Sequence, residues 1–137
     1  MRILVCEPKK LPYVKEIPNE LKAMQDIVGG YIETVDFEDV YFEEQGDAVI
    51  LCNEDGIGCE LPPNRAVNGE LILGTFFVVG CTTNEYGERE FVSLTDEQVE
   101  KYSSMFAATV DDLDPNDLLA LILDRIIEEL NDMRSEL

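Results

Sequence analysis

The chain has 137 residues, of which 45% are hydrophobic, and it contains no histidine. Such a composition is typical of one globular domain rather than a disordered chain, and the lack of histidine excludes triads with a histidine base and metal sites that need imidazole. Thirty acidic residues against ten basic ones give a formal net charge of −20, which repels nucleic acid and anionic membranes and attracts basic protein surfaces.

The acidic residues are unevenly distributed along the chain. Residues 1–30 carry a net charge of +1, whereas residues 31–60 contain ten acids and no base. Residues 61–94 carry −2 and residues 95–137 carry −9. We therefore expect the strongest negative potential near the second of these segments.

Hydrophobic periodicity predicts an α+β fold, a single compact domain in which a mixed β-sheet is covered by two to three helices. Apolar runs and period-2 alternation indicate strands, and stripes with helical spacing indicate helices. The predicted strands are Arg2–Cys6, Tyr13–Ile17, Tyr31–Phe37, Asp47–Asn53, Leu71–Gly80 and Glu90–Ser93, and the predicted helices lie near 19–28, 95–106 and 115–135.

Two apolar runs are predicted to form neighbouring central strands. The run Leu71–Val79 is apolar on both alternating sets of side chains, so both of its faces should be covered. Ala48–Cys52 has the same character, and a turn signal in Asn53–Gly56 follows it. Pro62 and Pro63 then predict an ordered loop that carries Asn64 and Arg65.

Capping signals mark the ends of the predicted helices. Asn19 is a candidate N-cap of the first helix, which Gly29-Gly30 should end. Thr95 and Gln98 form the spacing of a capping box for the second helix. The last helix should begin at Asp114-Pro115, an N-cap followed by proline at the first helical position.

The last helix is predicted to carry a heptad seam. Its early apolar surface is wide, which favours packing on the domain, and the seam then continues alone. We therefore divide the chain into an α+β domain, 1–110, and a C-terminal helix, 111–137, and expect a homodimer through that helix, with intramolecular docking as the alternative. The candidate dimer residues are Leu123, Ile126, Leu130, Met133 and Leu137.

The four cysteines show no C-x-x-C spacing, and all lie in or beside apolar runs. Free thiols in a reducing, cytoplasmic setting are the simplest interpretation. We expect no metal and no other cofactor.

Two sets of polar residues are candidates for binding. Acidic residues around 33–47 could form a face for a basic partner or only a solvated surface. On the proline-rich loop, Arg65 could contact a ligand, or it could be a structural fork that hydrogen-bonds loop carbonyls or pairs with Glu60. The candidate binding residues are Glu38, Asp39, Glu43, Glu44, Asn53, Asn64 and Arg65.

Several segments in a fixed order resemble a known family. They are Val28–Glu33, Asn53–Gly56, Leu61–Arg65, Gly74–Gly80 and Phe91–Gln98. In this order they are similar to domain of unknown function 3846, and the resemblance covers about residues 1–106. It implies an accessory protein of a bacteriophage, plasmid or other mobile element in a bacterial cytoplasm, without catalytic residues to carry over.

Three classes of function remain open on this basis. The first is a non-enzymatic acidic protein that binds or inhibits a basic host or defence protein, for example as a DNA mimic directed against a restriction or CRISPR-type nuclease. The alternative is a small-ligand-binding or sponge protein that uses the loop Pro62–Arg65, and the third is an enzyme of an unrecognised class. We expect no direct binding to nucleic acid or to membranes.

Overall fold

A computed structural model describes residues 1–37 and 48–135, with side chains described to residue 132. It confirms the α+β class with a C-terminal helix. The strands are β1 (Arg2–Cys6), β2 (Tyr13–Glu16), β3 (Ile32–Val35), β4 (Ala48–Asn53), β5 (Pro63–Val67), β6 (Glu70–Leu73), β7 (Phe76–Thr83) and β8 (Arg89–Val92). The helices are α1 (Leu21–Val28), α2 (Asp96–Met105) and α3 (Pro115–Ser135), and a 3-10 turn covers Val110–Asp112.

Six strands form the main sheet, in the order β2-β1-β7-β4-β3, and β8 pairs with β7 on the same side as β1. The prediction that the two apolar runs are neighbours is confirmed, because β4 pairs with β7 in the register Ile50↔Val78. Every strand pair among the described residues is antiparallel, although the sequence analysis expected a mixed sheet.

The prediction of one continuous strand from Leu71 to Gly80 was wrong. The chain turns at Gly74, whose φ of 79° lies in the left-handed region, so that β6 belongs to a separate hairpin with β5. A Cβ at Gly74 would lie 2.6 Å from Leu61 Cδ1, so a larger residue would also have to displace the Leu61 side chain. Apolar residues on both sides of the turn hid it from a periodicity argument.

The predicted loop that carries Asn64 and Arg65 is in fact the strand β5. Pro63 is its first residue, where proline is tolerated in a strand, and the register shifts between Pro63 and Arg65. Asn68 and Gly69, with φ of 51° and 79°, form the turn to β6. Asn-Gly between apolar residues is a strong hairpin signal, so this turn was visible in the sequence.

Both faces of the main sheet are covered. Alternate side chains of the central strands, such as Val49 and Phe77, pack on one face with Met24 and Val28 of α1. The other set packs on the opposite face with Tyr102 and Phe106 from α2 and its end, and with Val67 and Ile72 from the hairpin β5-β6. The requirement of the central strands for two covering layers is thereby met.

The predicted helix ends are correct except at the start of the first helix. Its N-cap is Glu20, and the Asn19 amide instead donates to the Phe91 carbonyl at 3.2 Å. Gly29 ends α1 with a φ of 76°, and both hydrogen bonds of the Thr95 capping box are present. The Asp114 carboxylate accepts from the Asn116 amide at 2.8 Å, at the start of α3. None of the described helices is long and apolar enough to cross a membrane.

Candidate binding surfaces

Arg65 is 2% exposed and uses every donor that it has. A guanidinium carries five N–H groups. Nε and Nη2 both donate to the Phe106 carbonyl at 3.1 and 2.9 Å, and Nη2 also donates to the Lys10 carbonyl. Nη1 donates to the Glu7 carbonyl at 2.8 Å and to Asn64 Oδ1. The interpretation of Arg65 as a structural fork for backbone carbonyls is confirmed, and its partners do not include Glu60.

Asn64 completes this arrangement from the neighbouring position. It is fully buried, and its Nδ2 donates to the carbonyls of Cys6 and Gly74, both at 2.8 Å. Together with Arg65 it ties the end of β1, the loop after β1, the turn at Gly74 and the end of α2 to β5. We call Asn64 and Arg65 the carbonyl clamp. Their side-chain N–H groups are all engaged in these hydrogen bonds.

Asn53 lies apart from the carbonyl clamp. It is 3% exposed, its Nδ2 donates to the Val28 carbonyl at 3.2 Å, and its Oδ1 accepts from the Asp55 amide at 2.8 Å. It therefore joins the end of α1 to the turn after β4 and shares no hydrogen-bond partner with Asn64 or Arg65. The structure does not bring the three predicted polar residues together at one opening.

Of the acidic face predicted for residues 33–47, the four candidate binding residues fall outside the described part of the chain, namely Glu38, Asp39, Glu43 and Glu44. Its role stays a prediction.

A different acidic cluster is present on the described surface, around Arg125 of α3. Arg125 Nη1 lies 3.9 Å from Glu128 Oε2, and Arg125 Nη2 lies 3.5 Å from Glu129 Oε1. The Arg125 side chain is 21% exposed. Glu33 of β3 interacts electrostatically with Arg125 and Glu129, and also with Glu54 and Glu70. We call these six residues the Arg125 cluster. Glu128 and Glu129 form ion pairs with the guanidinium, whereas Glu54 and Glu70 act on Glu33. Among the described residues, Arg125 Nε is buried without a hydrogen-bond partner.

Electrostatic conditions in the Arg125 cluster disfavour ionised Glu33. Partial burial is the largest cause that raises the pKa of its carboxyl, and Glu129, Glu70 and Glu54 raise it further. Arg125 acts in the opposite direction without reversing the shift. The excess of negative charge in the cluster follows from its residues alone, five carboxylates and one arginine, and burial is the main reason that the ionised form of Glu33 is disfavoured.

Sequence reasoning did not find the Arg125 cluster. Its members come from β3, the turn after β4, β6 and α3, which lie far apart along the chain. Glu33 was noted only as one acid of the segment 33–47. The excess of acids in residues 95–137 was the only available signal, and it could not show where α3 lies.

The helix α3 has two apolar sides. Leu118, Leu121 and Ile122 pack against Leu71 and Leu73 of β6, together with neighbouring residues of the turn after β4. A second set remains between 41% and 54% exposed and forms what we call the outer stripe: Leu119, Leu123, Ile126, Ile127 and Leu130. Early docking of α3 followed by a free seam agrees with the sequence analysis. The Met133 side chain and Leu137 lie outside the described part.

Two of the thiols are poor nucleophiles at neutral pH. Burial raises the pKa of Cys6 to about 12, with nearby Arg65 lowering it, and burial with a contribution from Glu33 raises the pKa of Cys52 to about 11. A protonated thiol is unreactive. All four cysteines are free, and Cys59 is the exposed one. In the described residues no group of three or more His, Cys, Asp or Glu side chains is placed to hold a metal ion.

Comparison with known families assigns the domain. The model of domain of unknown function 3846 (DUF3846) matches residues 1–107. The chain belongs to this family. The match contains the main sheet, the carbonyl clamp and α2 of the DUF3846 domain, whereas α3 lies outside it. A search of curated proteins and a search of solved structures gave no significant match.

Proposed function

We propose that this DUF3846 protein is a non-enzymatic binding protein that presents acidic surface to a basic protein partner. The observation that carries the proposal is the Arg125 cluster, in which ion pairs and electrostatic interactions link five carboxylates from four parts of the chain and one arginine. Lysine or arginine side chains of a partner would neutralise the remaining charge. Such complementarity mainly accelerates association and selects the partner.

Net charge supports the same proposal at longer range. A net charge of −20 on 137 residues gives a strong negative field, which steers a basic protein toward this surface. A protein that binds DNA has a basic surface, which this negative field would attract. We therefore propose that the chain inhibits such a host or defence protein by DNA mimicry. It would do so in the bacterial cytoplasm, as an accessory protein of a mobile element. Direct binding to nucleic acid or membrane is not part of the proposal.

The ligand-binding alternative is less well supported by the geometry. A ligand at Arg65 would need N–H donors that already serve Phe106, Lys10, Glu7 and Asn64. Breaking these bonds would leave the buried Phe106 carbonyl and Asn64 Oδ1 unpaired, at a cost of about 1–3 kcal/mol each. No specific observation favours an enzymatic function.

Affinity capture from bacterial lysate at low and high salt, with three matched proteins, tests the proposal. The cluster variant carries Glu33→Gln, Glu54→Gln and Glu70→Gln. The control carries Glu85→Gln, Glu88→Gln and Glu100→Gln, three exposed acids on the β7-β8 connection and α2. We expect wild type and control to retain one basic protein at low salt and to release it at high salt, because salt screens charge over about 8 Å at physiological ionic strength.

The cluster variant should lose that protein. Equal capture by all three proteins would refute a role for the Arg125 cluster. A fourth variant, with Glu38, Asp39, Glu43 and Glu44 replaced by Gln or Asn, tests the predicted acidic face in the same assay. If only this fourth variant loses the partner, the binding residues lie in 38–47 and not around Arg125.

A further inference from the structure

The helix α3 lies on the DUF3846 domain as an added element. The family match ends at residue 107, and the two core clusters that cover the faces of the main sheet contain no described residue of α3. Between residues 115 and 132 no α3 side chain is fully buried. The domain therefore has its main core without α3, and the helix occupies a site on the outside of it.

One face of α3 lies against the domain. Its five partly buried side chains have the spacing i, i+3, i+4, i+7 and i+11, whereas every other side chain between 115 and 132 is exposed. The five are Leu118, Leu121, Ile122, Arg125 and Glu129. Contact residues at i, i+3, i+4 and i+7 are typical of a helix that binds in a groove of another protein. In α3 the first three are apolar and the fourth is an arginine.

The surface under α3 is apolar where the apolar residues of the helix meet it. Leu71 and Leu73 of β6 are 3% and 9% exposed. They pack with Ile57 and Leu61 of the turn after β4 and with the three apolar residues of the α3 face, in a cluster separate from both main core clusters. We call these four domain residues the helix site.

The border of the helix site is acidic where the arginine meets it. Arg125 lines a cavity of about 40 Å³ together with Glu33 of β3 and Glu70 of β6. It also attracts the Glu33 carboxylate electrostatically. The domain thus offers apolar surface to positions i, i+3 and i+4 of α3 and carboxylates to position i+7, so its chemistry matches the helix position by position.

Grooves run along both sides of the docked helix. One, of about 250 Å³, lies between Ile122 and the apolar residue Ile57 of the turn after β4. The other, of about 210 Å³, lies between Leu121 and Gly69 in the turn of the β5-β6 hairpin. The domain therefore does not enclose α3. Departure of the helix would break the small cluster at the helix site and leave both main core clusters in place.

We propose that the helix site is a docking site for an amphipathic helix and that α3 of the same chain is its displaceable occupant. The helix opens as a unit while the DUF3846 domain stays folded, and opening uncovers Leu71 and Leu73. The site recognises apolar residues at i, i+3 and i+4 followed by a basic residue at i+7, which α3 supplies as Leu118, Leu121, Ile122 and Arg125.

Hydrogen exchange of the full chain, measured at single amides by NMR, tests whether α3 opens by itself. Amides of α3 should exchange much faster than those of β4 and β7, because opening leaves the main sheet folded. Leu121→Ala with Ile122→Ala should speed exchange in α3 by on the order of tenfold and leave β4 and β7 unchanged.

The matched control changes two leucines on the exposed side of the same helix. Leu119→Ala with Leu123→Ala alters side chains that are 54% and 50% exposed, so exchange should stay unchanged in α3 and in the sheet. If α3 is as well protected as β4 in wild type, the helix opens only when the whole chain unfolds and the proposal is wrong. Equal acceleration by the control also overturns it, since contact with the helix site would then not hold α3.

Binding of a separate helix tests the docking site. The acceptor is the full chain with Leu118→Gln, Leu121→Gln and Ile122→Gln, in which the helix site should be open, and circular dichroism checks that it is folded. A peptide of residues 112–132 should bind the acceptor and shift the NMR signals of β6 and of the turn after β4. It should bind wild type on the order of tenfold more weakly, because the tethered α3 competes there. No binding to the acceptor, equal binding to wild type, or equal binding of a peptide with the same three substitutions overturns the docking site.

A double-mutant cycle in the same titration tests the basic position. Arg125→Gln in the peptide should weaken its binding to the acceptor. The loss should be smaller in an acceptor that also carries Glu33→Gln and Glu70→Gln, because the partners of the arginine are then already neutral. An equal loss in both acceptors would overturn recognition of a basic residue at i+7.

The docking site does not depend on the proposed function, so the two can fail separately. Capture of a basic protein from lysate, together with an α3 as well protected as β4, would refute the docking site alone. Binding of the native peptide to the acceptor, without capture of any basic protein, would refute the proposed function alone.

Discussion

Arg65 and Arg125 show two different uses of the same side chain in one small protein. Arg65 is 2% exposed and donates all five N–H groups to neutral oxygens, so its charge is held by carbonyl dipoles without a carboxylate. Arg125 is partly exposed and pairs with the carboxylates of Glu128 and Glu129 at 3.9 and 3.5 Å, and its Nε has no hydrogen-bond partner among the described residues. The side-chain donors of Arg65 are thus all used within the fold, whereas the Arg125 cluster can still interact with further cations.

This difference indicates which of the two surfaces should bind a partner. A guanidinium with saturated donors contributes to folding, because any competing ligand must first break good hydrogen bonds. A cluster with more carboxylates than cations keeps a net negative charge after folding and can still attract cationic side chains. Variants at the carbonyl clamp should therefore change stability, and variants at the Arg125 cluster should change binding and the response to salt or pH.

The largest effect is expected at Arg65. Arg65→Met removes the donors to the carbonyls of Glu7, Lys10 and Phe106, of which the bonds to Phe106 are buried. Because each unpaired carbonyl costs about 1–3 kcal/mol, the free energy of unfolding should fall by about 3–5 kcal/mol. Urea denaturation followed by circular dichroism measures this loss. Arg89→Met, at a half-exposed arginine paired with Asp36 at 3.1 Å, is the control and should cost less than about 1 kcal/mol. If Arg65→Met lowers the free energy of unfolding by no more than Arg89→Met does, the carbonyl clamp does not stabilise the fold.

Asn64→Ala should have the next largest effect. It removes both donors to Cys6 and Gly74 and leaves Arg65 Nη1 without one acceptor. We expect a loss of about 1–3 kcal/mol in the free energy of unfolding. A double variant with Arg65→Met should lose less than the sum of the two single losses, because both residues belong to one network. Simple additivity would show that Asn64 and Arg65 act independently.

The clamp was partly visible in the sequence, and the Arg125 cluster was not. An arginine alone in an acidic region, after two prolines, predicted a structural fork, and the structure supplies the carbonyls. The apolar runs likewise predicted the central pair β4 and β7. Periodicity could not show the turn at Gly74, because it describes which faces are covered and not where the chain reverses. The cluster needs the docked position of α3, which depends on tertiary packing.

Arg125→Met should change stability less than the clamp variants, and in a salt-dependent way. Without Arg125, the five carboxylates of the cluster lose its one cation, so the free energy of unfolding should fall at low salt by about 1 kcal/mol or less. Most of this loss should return in high salt, where the repulsion is screened. Urea denaturation at two salt concentrations measures both effects.

Lys22→Met supplies the control for Arg125→Met, since Lys22 forms an exposed pair with Asp26 at 3.8 Å. It should show almost no change at either salt concentration. A loss at Arg125→Met that is the same in low and high salt would mean that packing, and not charge, is what Arg125 provides.

The smallest effect is expected at Glu33, and its sign is diagnostic. Because the folded protein raises the pKa of this carboxyl above the usual 4.5, the ionised form is disfavoured by folding. The penalty is fully present above the folded pKa, and it disappears as pH falls through that pKa toward 4.5.

Glu33→Gln removes the penalty, so the variant should be more stable than wild type at pH 7, by at most about 0.5 kcal/mol for an exposed position. The advantage should shrink as pH falls from 7 toward 4.5 in urea denaturation, while Glu100→Gln, exposed on α2, should track wild type throughout. If Glu33→Gln is instead less stable at pH 7, attraction to Arg125 outweighs burial and the neighbouring carboxylates. The Arg125 cluster would then be a balanced structural site, like the carbonyl clamp, and not an open one.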